Sequence, residues 1–102
     1  MKEITSLEEY ETLLSKPNVV IDMYAQWCGP CKRITKPLEE LEKAIPSVVF
    51  VKMDVDKMDD MGIPLDQPET IPCILYLKNG EEVDRVVGSD MKMIKEKVDE
   101  FL

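Results

Sequence analysis

Two cysteines three residues apart are the residues of this chain best suited to chemistry. Cys28 and Cys31 enclose Gly29 and Pro30. If Cys28 caps a helix and Cys31 lies in its first turn, the two sulfur atoms can meet without a large backbone movement. The positive helix end favours a thiolate at Cys28, and a thiolate is the attacking species in disulfide exchange. We therefore expect Cys28, at the exposed helix end, to attack, and Cys31, one turn inside, to resolve the mixed disulfide.

Two other interpretations of the pair stay open. A CxxC pair can supply half of a zinc site, but such a site needs four ligands. The rest of the chain offers only Cys73 and carboxylates, because it contains no histidine. A purely structural pair is the second alternative, although Gly29 and Pro30 shape a tight loop and Trp27 presents a large apolar surface suited to a partner. Reversible dithiol chemistry is the interpretation that we prefer.

The composition restricts the classes of partner. With 102 residues the chain is long enough for one domain, predicted over residues 1–102. Thirteen Lys and Arg against 21 Asp and Glu give a net charge of −8, which repels phosphate backbones and anionic lipids. No apolar stretch approaches the roughly 20 residues that span a membrane, and the first residues lack an apolar signal region. We expect no nucleic-acid or membrane partner, no bound metal, and a location in the cytoplasm.

Hydrophobic spacing predicts the elements that position the pair. A nearly continuous apolar run over 19–25 is typical of a strand buried on both faces, and helical spacing follows from the cysteines to Pro46. Asn79-Gly80 predicts a hairpin turn, because both central residues of a type I′ turn need positive φ. The other predicted elements are a helix over about 7–15, strands over 48–53, 74–78 and 82–87, a short helix and loop within 54–68, and a last helix after Gly88. The order β-α-β-α-β-α-β-β-α predicts an α/β fold with a mixed central sheet of about five strands.

Asp22 is the anomaly within the buried strand. Its neighbours on both sides are apolar, so its carboxyl group should be largely desolvated. Desolvation disfavours the ionised form and raises the pKa of an acid. A carboxyl group that is partly protonated near neutrality has the property required of a proton acceptor for Cys31. We therefore expect Asp22 to assist proton transfer during disulfide exchange.

Taken together, these residues resemble the thioredoxin family across essentially the whole chain. The segment Trp27-Cys28-Gly29-Pro30-Cys31 looks like that family's active-site motif in full, and it follows a predicted buried strand and opens a predicted helix. Asp22 is similar to the buried aspartate of thioredoxins, and Lys52 corresponds to the lysine often found near it. The resemblance therefore implies four catalytic residues, Cys28, Cys31, Asp22 and Lys52. Thr70-Ile71-Pro72 resembles the segment that carries the family's cis-proline, and Gly88 follows at the family's spacing.

The resemblance implies a thioredoxin fold and a cytosolic protein-disulfide reductase with a redox-active Cys28–Cys31 disulfide. It implies that a separate thioredoxin reductase supplies the electrons, so that flavin and nicotinamide belong to the reductase and this chain binds no cofactor. Its substrates would be disulfide-containing target proteins, and its place would be in electron transport and cell redox homeostasis. We expect it to act as a monomer.

The resemblance also implies a substrate-binding surface beside the disulfide. Pro72 should be cis and pack against the disulfide, although an ordinary trans proline at the start of a strand is the alternative that base rates favour. The backbone of Ile71 should pair with an extended substrate segment. The remaining residues assigned to this surface are Trp27, Gly29, Pro30 and Gly88.

Departures from the family pattern leave further alternatives open. The helix proline stands one residue late, as Pro37, and Cys73 replaces the threonine that usually follows the cis-proline. The segment before Pro72 is about one residue longer than usual. Cys73 is expected to be a buried small hydrophobe, with a third reactive thiol as the alternative. For Asp22 the alternative is a structural ion pair with Lys52.

Three functions fit the sequence. A general protein-disulfide reductase is the leading hypothesis. A reductant dedicated to one partner enzyme has the same chemistry, and the sequence does not separate the two. The third is a binding module whose acidic surface and Trp27 recognise a partner, with the redox state of the cysteines as a switch.

Overall fold

A mixed five-stranded sheet with helices on both faces forms the protein in this computed structural model. The structure describes residues 1–101, so Leu102, the last residue of the predicted domain, and the side chain of Phe101 lie outside the described residues. The elements are β1 (Lys2–Glu3), α1 (Leu7–Leu13), β2 (Asn18–Tyr24), α2 (Gly29–Ala44), β3 (Val49–Asp54), a 3₁₀ turn (Val55–Lys57), α3 (Met58–Met61), β4 (Cys73–Lys78), β5 (Glu81–Val87) and α4 (Met91–Phe101).

The strand order explains how the site is assembled. It is β1-β3-β2-β4-β5, with β2 in the centre. β1, β3 and β2 run parallel to one another, whereas β4 is antiparallel to both β2 and β5. The predicted element order and the mixed sheet are therefore confirmed. Because α2 starts just beyond the carboxyl end of β2, the central strand leads the chain directly to the cysteine pair.

The two faces of the sheet bury two separate apolar clusters. On β2 and β4 the odd-numbered residues, such as Ile21 and Leu75, pack toward α1 and α3 with Tyr10 and Met58. The even-numbered residues, such as Val20 and Ile74, pack toward α2 and α4. This alternation follows from the two-residue period of a strand. A side chain on β2 therefore reaches either the α2 face, where the cysteines lie, or the opposite face.

Local differences from the predicted elements have identifiable causes. α1 ends at Leu13, earlier than predicted, because the N–H of Leu14 bonds to Glu11 and that of Lys16 bonds to Leu13, which tightens the chain before Pro17. The predicted hairpin turn is confirmed: φ is 51° at Asn79 and 84° at Gly80. A Cβ atom on Gly80 would lie 2.7 Å from the carbonyl oxygen of Leu14, so this turn also needs glycine for space.

Helix α2 continues through the displaced proline. Pro37 lies inside the helix, which runs on to Ala44. Of its three buried residues, Ile34 and Leu38 belong to the cluster on the α2 face, and Cys31 belongs to the cluster around the disulfide. Within the described part of the chain, no helix is both long enough and apolar enough to cross a membrane.

Candidate active site around the cysteine pair

Cys28 caps the amino terminus of α2. Its backbone is extended (φ −87°, ψ 110°), and its Sγ accepts the N–H of Cys31 at 3.1 Å. Pro30 lies in the first turn, where its missing N–H costs no helical hydrogen bond. The two sulfur atoms form a disulfide, with 5.3 Å between the Cα atoms, so the structure is that of the oxidised form. Because Cys28 occupies the cap, its sulfur accepts a hydrogen bond from a helix N–H group and lies at the positive end of the helix dipole.

The expectation that Cys28 is exposed is wrong for this oxidised form. Its residue exposure is 4%, against 3% for Cys31. Both pack with Ala25, and the partly buried side chains of Tyr24 and Ile71 adjoin them. Exposure therefore does not distinguish the two sulfur atoms here. What distinguishes them is the hydrogen bond at the helix cap, which only the Cys28 sulfur receives.

The predicted cis bond lies beside the disulfide. The Ile71–Pro72 peptide bond is cis, as the resemblance implies. The N–H of Gly88 donates to the carbonyl oxygen of Pro72 at 2.8 Å, with Gly88 at a φ of 104°. Since Ile71 packs on the cluster around Cys28, the structure places Ile71 at the cysteine pair, with Pro72 next to it in the chain and Gly88 bonded to Pro72.

Trp27 stands out from the surface next to Cys28. Its exposure is 71%, and its Nε1–H donates to Oδ2 of Asp56 at 2.9 Å. Asp56 is itself held by a turn, because its N–H donates to Oδ1 of Asp54 at 3.0 Å. The sequence analysis did not identify Asp56. The spacing of Asp54 and Asp56 after a predicted strand is the Asx-turn pattern that could have indicated this turn.

Asp22 lies in the interior on the α2 face of β2. It is 3% exposed, and its Oδ1 has no hydrogen-bond partner among the described residues. Burial raises the pKa of Asp22 from 3.8 to about 7, while the positive charge of Lys52 acts in the opposite direction. The predicted rise in pKa therefore has the predicted cause. A buried carboxyl group with an unpaired oxygen and a pKa near neutrality can take up or release a proton.

Lys52 is the direct neighbour of Asp22 on β3, but the two do not form an ion pair. They are partners in the β2–β3 register. Within the described residues, however, Lys52 forms no salt bridge. Its Nζ lies 5.4 Å from the centroid of the Tyr24 ring instead. The alternative of a closed structural ion pair at Asp22 is therefore wrong for this form of the protein.

A cavity of about 370 Å³ connects Asp22 with Cys31. Besides these two, the residues that line it are Glu3, Tyr24, Ala25, Gln26, Lys32, Thr35 and Lys52. Three of the four predicted catalytic residues thus share one cavity, and Cys28 lies next to it through its disulfide. Glu3 and Tyr24 are lining residues that were not predicted from the sequence. Tyr24 could have been found by its two-residue spacing from Asp22, whereas the short strand that carries Glu3 has no comparable signal.

Cys73 lies on the opposite face of the sheet. It is a free thiol with 0% exposure, packed in the cluster that faces α1 and α3. Burial raises the pKa of its thiol, and Arg85 moderates the rise. The preferred prediction, a buried cysteine that shares a face with Leu75 and Leu77, is confirmed. Among residues 1–101, no three Cys, Asp or Glu side chains are grouped so that they could hold a metal ion.

A cysteine pair that caps a helix, beside a cis-proline and on a mixed sheet, defines the class of thiol–disulfide oxidoreductases. The family model for Thioredoxin matches residues 2–100. Thioredoxin of Chlamydia caviae is 40% identical over 90 residues, which cover 86% of this chain and 85% of that protein. Thioredoxin-1 of Saccharomyces cerevisiae is 34% identical and covers 94% of this chain and 93% of its own length.

The solved structures agree with the sequence comparisons. The crystal structure of Fasciola hepatica thioredoxin superposes with a TM-score of 0.89 at 31% identity, with all of both chains covered. Plasmodium falciparum thioredoxin gives a TM-score of 0.86 at 32% identity, again over all of both chains. The chain belongs to the thioredoxin family. It is a protein-disulfide oxidoreductase whose redox-active pair is Cys28–Cys31.

Proposed function

We propose that the protein is a cytosolic reductant of disulfides in other proteins and that it acts as a monomer. A thioredoxin reductase would reduce its Cys28–Cys31 disulfide again after each reaction. One observation carries most weight. Cys28 Sγ occupies the cap of α2, while Cys31 shares a cavity with the buried Asp22. This arrangement supports an attacking role for Cys28 and a proton-coupled resolving role for Cys31.

The first step is attack on the target by the reduced form of the protein. The Cys28 thiolate attacks one sulfur atom of the target disulfide. A new bond joins Cys28 to the target, and the other target sulfur leaves as a thiolate. The N–H of Cys31 and the positive end of α2 stabilise the charge on Cys28 before the attack.

The second step releases the target and needs a base near Cys31. The Cys31 thiol gives its proton to the Asp22 carboxylate, and the resulting thiolate attacks Cys28 Sγ. The Cys28–target bond breaks, and the second target sulfur leaves as a thiolate. Two electrons have then passed to the target, and the Cys28–Cys31 disulfide seen here has formed. The pKa of Asp22, about 7, suits this transfer near neutral pH.

Recognition of the target is assigned to the surface around the cis-proline. In the described residues Ile71 makes no backbone hydrogen bond, so its backbone groups are available to an extended segment of a partner. Trp27, the residue before Cys28, offers an exposed aromatic surface. The unbonded backbone of Ile71 and the exposed ring of Trp27 together support a protein substrate rather than a small disulfide.

A trapping experiment tests these roles. In Cys31→Ser the second step is blocked, so the protein should remain linked to its targets through Cys28. Cys28→Ser is the matched control and should trap almost nothing. Incubation of both reduced variants with lysate, followed by non-reducing electrophoresis and mass spectrometry, measures the difference. If Cys28→Ser traps as much as Cys31→Ser, the assignment of attack and resolution is reversed or wrong.

The trapping experiment and an insulin assay together separate the three functions. A general reductase traps many different proteins, whereas a dedicated reductant traps one. Reduction of insulin by dithiothreitol, followed as turbidity, separates both from a redox-switched binding module, which would not accelerate the reaction.

The cytosolic location is supported by the unpaired thiol of Cys73, which suits a compartment that keeps thiols reduced. Cell fractionation measures the location, and the protein is expected in the cytosolic fraction.

A further inference from the structure

Three charged residues form a row across three neighbouring strands beside the active site. Glu3 on β1 is the register partner of Lys52 on β3, and Lys52 is in turn the partner of Asp22 on β2. Register partners on adjacent strands point to the same face of a sheet. All three residues line the cavity that also reaches Cys31. Lys52 therefore stands between two carboxylates in the register of the sheet, and both carboxylates line the cavity.

Lys52 nevertheless bonds to neither carboxylate in the part of the chain that the structure describes. Tyr24 contacts both Glu3 and Lys52 instead. It follows Asp22 by two residues and so lies on the same face of β2. Its hydroxyl donates to Oε1 of Glu3 at 2.8 Å, and its ring lies 5.4 Å from Nζ of Lys52. A cation at this distance from a ring face is attracted by it.

The hydroxyl of Tyr24 keeps this role across the working pH range. Burial and the hydrogen bond to Glu3 both raise the pKa of Tyr24 above its ordinary value of 10.0. Tyr24 therefore stays a protonated donor, and Glu3 fixes the position of its ring. The ring in turn attracts the Lys52 ammonium group, which forms no ion pair with Asp22.

We propose that Glu3 and Tyr24 are positioning residues that hold Lys52 away from Asp22, and that they thereby set the pH range in which Asp22 exchanges its proton. The second part rests on the proposed function of Asp22. A closed ion pair with Lys52 would favour the ionised form and lower the pKa of Asp22 by about 1 to 3. A carboxylate with such a low pKa would be a weaker base for the Cys31 thiol.

The other groups around Asp22 leave Lys52 as the neighbouring charge through which this arrangement acts on it. From α2 the cavity is lined by Cys31 and Lys32, and from β4 the register partner of Asp22 is the apolar Ile74. Asp54 of β3, the register partner of Tyr24, is 3% exposed. Burial is the larger cause of the raised pKa of Asp22, and among the described residues the charge of Lys52 is the cause that acts against it. The position of the Lys52 ammonium group therefore affects how far the pKa is raised.

Titration of the Asp22 carboxyl carbon by ¹³C NMR in the oxidised protein tests the inference. The variants are Glu3→Gln, Tyr24→Phe and Tyr24→Leu, with Glu8→Gln as the control. Glu8 is also surface-located, on α1, and its removal changes the net charge equally. We expect the pKa of Asp22 to fall by about 1 or more in Tyr24→Leu, and by less in Glu3→Gln and Tyr24→Phe. Glu8→Gln should leave it unchanged.

A double variant removes an ambiguity, because the smaller leucine could also admit water to Asp22. In a Lys52→Met background, Tyr24→Leu should no longer lower the pKa of Asp22 if Lys52 is the agent. An equal fall in both backgrounds, or an unchanged pKa in Tyr24→Leu and Glu3→Gln, overturns the inference. The pH profile of insulin reduction tests the proposed function separately. If the pKa shifts but the profile does not follow it, the positioning stands and the catalytic role of Asp22 fails.

Discussion

Asp22 and Cys73 are two buried titratable groups on opposite faces of the same sheet, and they differ in what surrounds them. They are close in the register, since Cys73 pairs with Met23, the residue after Asp22. Burial raises the pKa of both. Asp22, however, lines a cavity of about 370 Å³ with Cys31, whereas Cys73 is packed among apolar side chains facing α1 and α3.

The difference separates a perturbed pKa from a function. A raised pKa shows only that the charged form is disfavoured, and both residues meet that condition. Chemistry needs in addition a path for protons and a reacting group within reach. Asp22 lines a cavity with Cys31, which supports the proposed proton transfer, whereas Cys73 does not line that cavity and packs in the apolar cluster on the opposite face. The face of the sheet on which a residue falls therefore decides which groups it can reach.

The largest expected contrast lies in thiol reactivity. In the reduced protein, alkylation should modify Cys28 rapidly and Cys73 at least about a thousandfold more slowly, because Cys73 must wait for the core to open. Mass spectrometry after timed treatment with iodoacetamide measures both rates in one sample. Urea-unfolded protein, in which all three cysteines should react, is the control. Rapid modification of Cys73 in the folded protein would remove the contrast between the two faces.

The next largest effect concerns the pH dependence of stability. Because the pKa of Asp22 is about 7 in the folded protein and 3.8 ordinarily, the native state binds more protons between these pH values. The free energy of unfolding therefore falls as pH rises through this window, by about 4 kcal/mol in total. Asp22→Asn should lose this fall and become more stable than the parent protein above pH 7. It should also reduce insulin more slowly.

Urea unfolding followed by circular dichroism from pH 4 to pH 8 measures this prediction. Cys73→Val is the matched control, because it alters the other face and leaves the carboxyl group in place. It should retain the pH dependence of the parent protein. If Asp22→Asn shows the same slope as the parent, then the carboxyl group of Asp22 does not titrate with a raised pKa.

The smallest expected effect is the cost of a polar atom at Cys73. Cys73→Ser places a hydroxyl group in an apolar cluster and should lower the free energy of unfolding by about 1 to 3 kcal/mol. Cys73→Val, of similar size and apolar, should cost less than about 1.5 kcal/mol. Both variants should reduce insulin at the parent rate. A slower rate in Cys73→Val would assign the third cysteine a part in the reaction.

Much of the fold and of the site could be predicted from local spacing. The two-residue period predicted that Cys73 shares a face with Leu75, and the continuous apolar run predicted that Asp22 lies inside a buried strand. The Asn79-Gly80 pair predicted the hairpin. These predictions succeeded because each depends on residues adjacent in the chain. The exposure of Cys28 was predicted wrongly, because the segments that cover it, including Ile71, are distant in sequence.

The sequence by itself determined the order of the elements, the position of the cysteine pair at the start of a helix and the anomalous acid at Asp22. Apolar periodicity and helix-end chemistry are written locally. Only the tertiary structure decided that Glu3, Lys52 and Asp22 stand in one row. It also decided that Tyr24 bonds to Glu3 through its hydroxyl and approaches Lys52 with its ring. The physical reason is register: a shift of one residue between strands would turn these side chains to the opposite face, and local spacing does not specify that alignment.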